Sequence, residues 1–533
     1  SVKYLNISGA ENTGDVLAEN SFAGGIVGYA GGYDYSSIIS ECTSSASVSA
    51  KFIVGGLAGH AENITLDSCD NEGSVITATG YRTEDNQNYV YLGGYAGSCG
   101  GVKNCINKAA ISYDGRGGRI GGIAGYAYNY GIFSGCENTA EIYAPNASYV
   151  GGVIGGVSNS SNVTLSKLTN SGKVTGSDNV GGIAGSINAT ASAGYQDLYR
   201  TLTLTSFENS GEVSGNNNVG GTIGYLYTDA TSNRTALYKI TANEFTNSGN
   251  VSGVKYVGGL LGYARSDDNS SSLTGGISSG AVEAESYIGG LVGKAENIKF
   301  IDCSNEGSEL KATGYVLESD VTYVYFGGYA GFGYSFENCH NAVMLSYSGN
   351  GARIGGIAGY ANGTFTECSN TADITAENAN EVGGIVGRVN HGGNATLQGL
   401  TNSGTIIAKD SVGGIAGSIN ATASAGYQDL YRTLTLTSFE NSGEVSGNNN
   451  VGGTIGYLYT DATSNRTALY KITANEFTNS GNVSGVKYVG GLLGYARSDD
   501  NSSYIMNYSF TGVVTAESDF GDVAGKLENI SIK

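Results

Sequence analysis

Sixteen times along 533 residues, an apolar residue is followed by Gly-Gly, two further residues and a third glycine. The first glycine of each pair falls at Gly24, Gly55, Gly93, Gly121, Gly151, Gly181, Gly220 and Gly258. It continues at Gly289, Gly327, Gly355, Gly383, Gly413, Gly452, Gly490 and, in the worn copy FGDVAG, at Gly521. A dinucleotide-binding fingerprint is also rich in glycine. It occurs once per site, though, between one strand and one helix, with an acidic residue about twenty positions on. Sixteen tandem copies with no helical periodicity between them exclude that reading and point to a repeat architecture.

The spacings run 31, 38, 28, 30, 30, 39, 38, then 31, 38, 28, 28, 30, 39, 38, then 31. Seven turns therefore make a super-repeat, present twice with a third copy beginning. Val180 to Ser271 and Val412 to Ser503 are identical over 92 residues. A second motif precedes most Gly-Gly pairs by about a dozen residues: CENTAEI at 136–142, LTNSGKV at 168–174, FENSGEV at 207–213 and FTNSGNV at 245–251. Each unit predicts three short strands: the alternating run after the Asn, the Gly-Gly segment, and the residues leading to Cys, Leu or Phe. Three strands in a turn of about 30 residues describe a coil that cannot bury its apolar face alone and must stack on its neighbours.

The predicted fold class is therefore all-β, a right-handed parallel β-solenoid of about 16 coils with a seven-coil super-repeat. At a strand spacing of about 4.8 Å the stack would be a rod of roughly 75 Å. The chain reads as one continuous solenoid over 1–533, with a partial coil at 1–23, super-repeats at 24–257 and 258–489, and a partial third copy at 490–533. Composition agrees. Eighty-seven glycines disfavour helix, and a single proline leaves nearly every backbone N–H free for sheet ladders. Hydrophobic residues make up 40%, enough for a core.

Each repeated position has a structural explanation. The Gly-Gly pair suits a corner, where glycine reaches positive φ and lets chains approach closely. The recurring Asn, at Asn12, Asn71, Asn107, Asn138, Asn170, Asn209 and Asn247 and again in the second super-repeat, predicts an amide ladder along the axis. Cys42, Cys69, Cys105 and Cys136 share a slot that Leu168, Phe207 and Phe245 fill in later turns, so the slot points into the core. Stacked cysteines would also lie near disulfide distance, which leaves free thiols and axial disulfides both open. Cys99 lies outside this ladder, with Gly333 at its counterpart.

Other chemistry is sparse. The net charge of −20 with 27 basic residues excludes nucleic acid as a partner. No run of eighteen apolar residues predicts a membrane span. His60, His340 and His391 stand in three unrelated contexts, without a zinc-protease motif. No pair of cysteines has zinc spacing, so no metal site or catalytic residue is predicted. The Asp267–Asp268 and Asp499–Asp500 pairs read as solvated turn carboxylates, with weak calcium binding the alternative. No other cofactor is expected. Tyr-rich variable stretches supply the candidate ligand-contact loops: Tyr89, Tyr91, Tyr195, Tyr199 and Tyr227, with Tyr323, Tyr325, Tyr427, Tyr431 and Tyr459 in the second copy.

The segments YIGGLVGKAENIKFIDCSNEGSEL (287–310) and RIGGIAGYANGTFTECSNTADI (353–374) carry a Gly-Gly core, a short link, an apolar strand and a C-x-N turn. This pattern resembles the GLUG motif family, and the resemblance covers nearly the whole chain. It implies a bacterial cell-surface or secreted protein and offers no catalytic residue. The opening SVKYLNISGA looks like the middle of a repeat, so a segment of something longer is expected. The functional expectation is a non-enzymatic surface stalk or adhesin segment that displays binding loops to a host or microbial glycan or protein. The alternatives are a self-associating filament subunit, joined end to end or side by side, and a carbohydrate-active solenoid.

Overall fold

The computed structural model describes residues 4–533 other than 20, 33–35, 74, 85–86, 129–131, 160–161, 193–197, 232–235, 308, 315, 319–320, 426–429 and 465–467. Among these residues there is no helix, and strand pairing is parallel except in two places, where Arg82 to Glu84 pairs antiparallel with Gln87 to Tyr89 and Val316 to Glu318 with Val321 to Tyr323. The fold is an all-β parallel solenoid. Two compact units divide it, Ser1–Ala281 with Glu296–Ile298, and Val282–Ala295 with Lys299–Lys533.

The Gly-Gly repeat sets the register in each unit. In the first, Gly24, Gly55, Gly93, Gly121, Gly151, Gly181, Gly220 and Gly258 pair one to the next. In the second, Gly289 through Gly521 do the same. The repeat spacing seen in the sequence is thus the length of one coil, and insertions are absorbed between ladders without shifting them.

A coil holds four strand segments where three were expected. Asp178–Gly181, Ala184–Ser192, Leu198–Asn209 and Val213–Ser214 make up one turn. The Gly-Gly segment is not a single strand but the bend between two. Its glycines are required by close approach rather than by positive φ, since none of the Gly-Gly residues has positive φ. A methyl group on Gly182 would overlap the Gly221 carbonyl of the next coil and the Asn209 side chain of its own. The left-handed conformation falls instead on residues such as Ser68, Asn104, Lys167 and Ser206 (φ 50–55°), immediately before the Cys, Leu or Phe slot. These positions vary in residue type, with Gly135 and Gly399 before Cys136 and Leu400, so their sequence carries no fixed signature.

Side chains alternate along the longer strands, one facing the core and the next facing out. Val180, Ile183, Ala184, Leu202, Leu204, Phe207 and Val213 are all fully buried. Each meets a residue of its own class one coil on: Leu168 pairs with Phe207 and Phe207 with Phe245, the latter two stacked at 4.7 Å. The second unit repeats this with Leu400, Phe439 and Phe477, at 4.8 Å. One departure between copies is compensated. Gly333 stands where the first copy has Cys99, and the ring of Phe336 takes the room that a side chain at Gly333 would need. Its counterpart beside Cys99 is the smaller Val102.

Candidate functional site

The asparagines form the expected ladder, and it is fully buried. The Asn71 amide donates to Asn107 Oδ1 at 3.1 Å, Asn107 to Asn138 at 2.8 Å, Asn138 to Asn170 at 2.8 Å, Asn170 to Asn209 at 2.8 Å and Asn209 to Asn247 at 2.7 Å. From Asn107 on, each also donates to the backbone carbonyl two residues ahead, so Asn107, Asn138, Asn170 and Asn209 use both amide protons. The second unit runs the same chain from Asn341 to Asn479. Asn12 stands apart: its side chain bonds within its own turn, to Gly14, and it faces Ser44 in the next coil. Amides spent in this way are unavailable to a ligand.

The cysteines are equally internal. All eight are buried, and none forms a disulfide. Hydrogen bonding to Cys105, outweighing burial, draws the Cys69 thiol down, while the same contact and burial push Cys105 up. Cys99, inside the core, is pushed up by burial. The acidic pairs are tied to backbone. Asp267 accepts from the Tyr238 N–H at 3.0 Å and Asp268 from the Ser270 N–H at 2.8 Å. No cluster of three metal-ligating side chains occurs among the described residues.

On the outer face, tyrosine rings and arginines come together. In the first unit Tyr91, Arg119 and Tyr149 stand in register on three successive coils. The Arg119 guanidinium lies 5.5 Å from the Tyr91 ring, 4.4 Å from Tyr126 and 5.3 Å from Tyr149. One N–H donates to the Tyr91 hydroxyl at 3.2 Å, and no carboxylate pairs with Arg119 among the described residues. Tyr89, Tyr91, Arg119 and Tyr149 line a pocket of about 250 Å³, with Ser148 and the Gly117–Gly118 step completing its wall. Burial pushes the Tyr91 hydroxyl above the usual phenol range, against the pull of Arg119. Gly156 borders the arginine, because a Cβ there would sit 2.8 Å from Arg119 Cδ.

The second unit holds the counterpart, differently completed. Arg353 lies 4.0 Å from the Tyr323 ring and 5.2 Å from each of Tyr325 and Tyr360, and it donates to the Tyr325 hydroxyl at 2.8 Å. Where the first copy has Tyr149 and Gly156, this one has Glu381 and Arg388. Arg353 Nε donates to Glu381 at 2.6 Å and Arg388 donates to the other Glu381 oxygen at 3.0 Å. Burial disfavours the Arg353 charge, but Glu381 beside it more than compensates and raises the arginine above its ordinary range.

The other Tyr candidates are placed differently from loops. Tyr227 and Tyr459 lie on strands, each with an arginine over its ring, Arg265 at 5.4 Å and Arg497 at 5.5 Å. Tyr199 and Tyr431 also lie on strands, in register with Leu237 and Leu469, and point to solvent at 63% and 62% exposure. These long turns are strand extensions because the excess residues of consecutive coils pair with one another. Tyr195 and Tyr427 lie outside the described residues. The Arg119 pocket and its counterpart bring the candidates Tyr89, Tyr91, Tyr323 and Tyr325 beside Arg119, Tyr149, Arg353 and Glu381, which the sequence reading did not single out. The signal was available as a departure between copies.

Comparison of the chain with family models, with curated proteins and with solved structures finds no match in any of the three.

Proposed function

We propose that this chain is a non-enzymatic display scaffold, a repetitive stalk or adhesin segment of an exported bacterial protein of the GLUG-motif kind. Its partner is a glycan or protein on a host or microbial surface. The carrying observation is a set of ring pairs from neighbouring coils, placed at the residue after the third glycine. Tyr225 stacks on Tyr263 at 5.3 Å, Tyr457 on Tyr495 at 5.3 Å and Phe332 on Tyr360 at 5.0 Å, with Lys526 at 5.4 Å from the Tyr495 ring. Stiff rings with a polar edge and an adjacent cation suit the faces of sugars and of protein side chains, and they order little on binding. The ladder amides, thiols and acidic pairs are meanwhile committed to the fold, which supports display over catalysis. The bacterial, exported setting rests on the motif resemblance alone.

A glycan array combined with a mucin-binding assay tests this reading. Retention of at least one glycan or mucin class, weakened by Tyr225→Ala together with Tyr457→Ala, is the expected result. No binding to any surface, from a folded chain, would overturn it.

A further inference from the structure

The two copies of the Tyr–Arg site differ where a ligand would sit. Both place an arginine among three tyrosine rings with one N–H on a tyrosine hydroxyl. In the second copy Arg353 Nε donates to one oxygen of the Glu381 carboxylate, and Arg388 holds the other oxygen. In the first copy Tyr149 and Gly156 replace both partners, and the arginine borders a pocket of about 250 Å³. An arginine fork presents parallel N–H donors that match a planar carboxylate. The second copy therefore shows which chemistry this frame accepts. The pocket is smaller than the ~300 Å³ at which sites take drug-sized ligands, so it has room for one ring and its substituents. Walls of tyrosine on two sides favour a ring whose faces carry C–H groups and whose edge carries hydroxyls.

We propose that the Arg119 pocket is an open receptor for the carboxylate of a sugar acid, a uronate residue, and that the Arg353 site is the same receptor closed by its own Glu381. The inference rests on the outer Tyr–Arg face being a binding surface, and it adds the ligand class and the number of open sites. Recognition is local. The chain carries a net charge of −20, which repels acidic ligands at long range, so binding weakens little as salt rises.

The test uses the full chain and sodium glucuronate, followed by titration calorimetry and ligand-observed NMR. One site per chain is expected, with glucuronate methyl ester and glucose each bound at least about tenfold more weakly. Arg119→Gln and Tyr149→Glu should each weaken glucuronate at least about tenfold. The Tyr149→Glu chain should keep its melting temperature, because the second copy already folds around a glutamate at that place. The pair Glu381→Tyr with Arg388→Gly should raise the stoichiometry from one to two. Equal binding of glucose and glucuronate, or wild-type affinity in Arg119→Gln, would overturn the proposal. Binding of benzoate with none of glucuronate would overturn the sugar assignment. A glycan array positive only for neutral glycans would sink this pocket reading and leave the display reading standing. Glucuronate binding beside a blank array would do the reverse.

Discussion

Replacing Asn209 with alanine removes one rung from the middle of the first ladder. The Asn170 amide loses its acceptor at 2.8 Å, the Gly211 carbonyl loses its donor at 2.8 Å, and Asn247 Oδ1 loses its donor at 2.7 Å. All three groups are buried, where an unsatisfied donor or acceptor costs about 1–3 kcal/mol. Carbonyl oxygens tolerate the loss better than an N–H, so the sum falls near 3–6 kcal/mol. Stability in a repeat stack is a sum of local terms, so the loss should open the neighbouring coils before the rest. Hydrogen exchange reads this directly at the Ser210 and Ser248 N–H groups, which bond to the Asn170 and Asn209 carbonyls. Exchange there should accelerate roughly 100-fold or more, at about 1.4 kcal/mol per tenfold. Asn12→Ala is the control, because the Asn12 side chain bonds within its own turn, to Gly14; its effect should stay below about 1 kcal/mol. Equal effects of Asn209→Ala and Asn12→Ala on local exchange would refute the ladder as a stabilising element.

Three further outcomes follow from the same geometry. Gly182→Ala should destabilise its coil by more than about 3 kcal/mol in denaturant melts, since the methyl meets both the Gly221 carbonyl and Asn209, and Asn209→Gly should rescue it only in part. A thiol reagent should titrate almost none of the eight cysteines in the native chain and all eight after unfolding; eight unreactive sulfurs in the unfolded, unreduced chain would contradict free thiols. Burial pushes Tyr238 up to about 12 from an ordinary 10, so its stabilising effect is complete below pH 10 and is lost as pH rises through 12. Tyr238→Phe should flatten that alkaline loss, read by melting temperature against pH.

The elements legible in the sequence were those that recur in every coil. Gly181 and Asn209 each announce themselves by repetition, because a parallel stack forces identical environments at identical register. That the second glycine and the asparagine are one contact was not legible, since they lie 27 residues apart and meet only when the coil closes. The left-handed bend before Cys69, Cys105 and Leu168 was invisible for the opposite reason. Ser68, Asn104 and Lys167 share a backbone state and an exposed side chain, so nothing fixes their type. The expectation of positive φ at Gly-Gly failed because those glycines answer to crowding. The site at Arg119 required comparing copies: Arg119 and Arg353 look alike in sequence, and the difference that decides them sits one coil away, at Tyr149 and Glu381.

The claim that this chain binds without turning its ligand over is tested most directly by a single incubation. The purified chain is held with mucin and with a panel of neutral and uronate-containing polysaccharides, and both bound polymer and newly formed chain ends are measured. Saturable binding to at least one polymer, with no increase in chain ends, is the expected result. New chain ends that rise with protein concentration and time would contradict it.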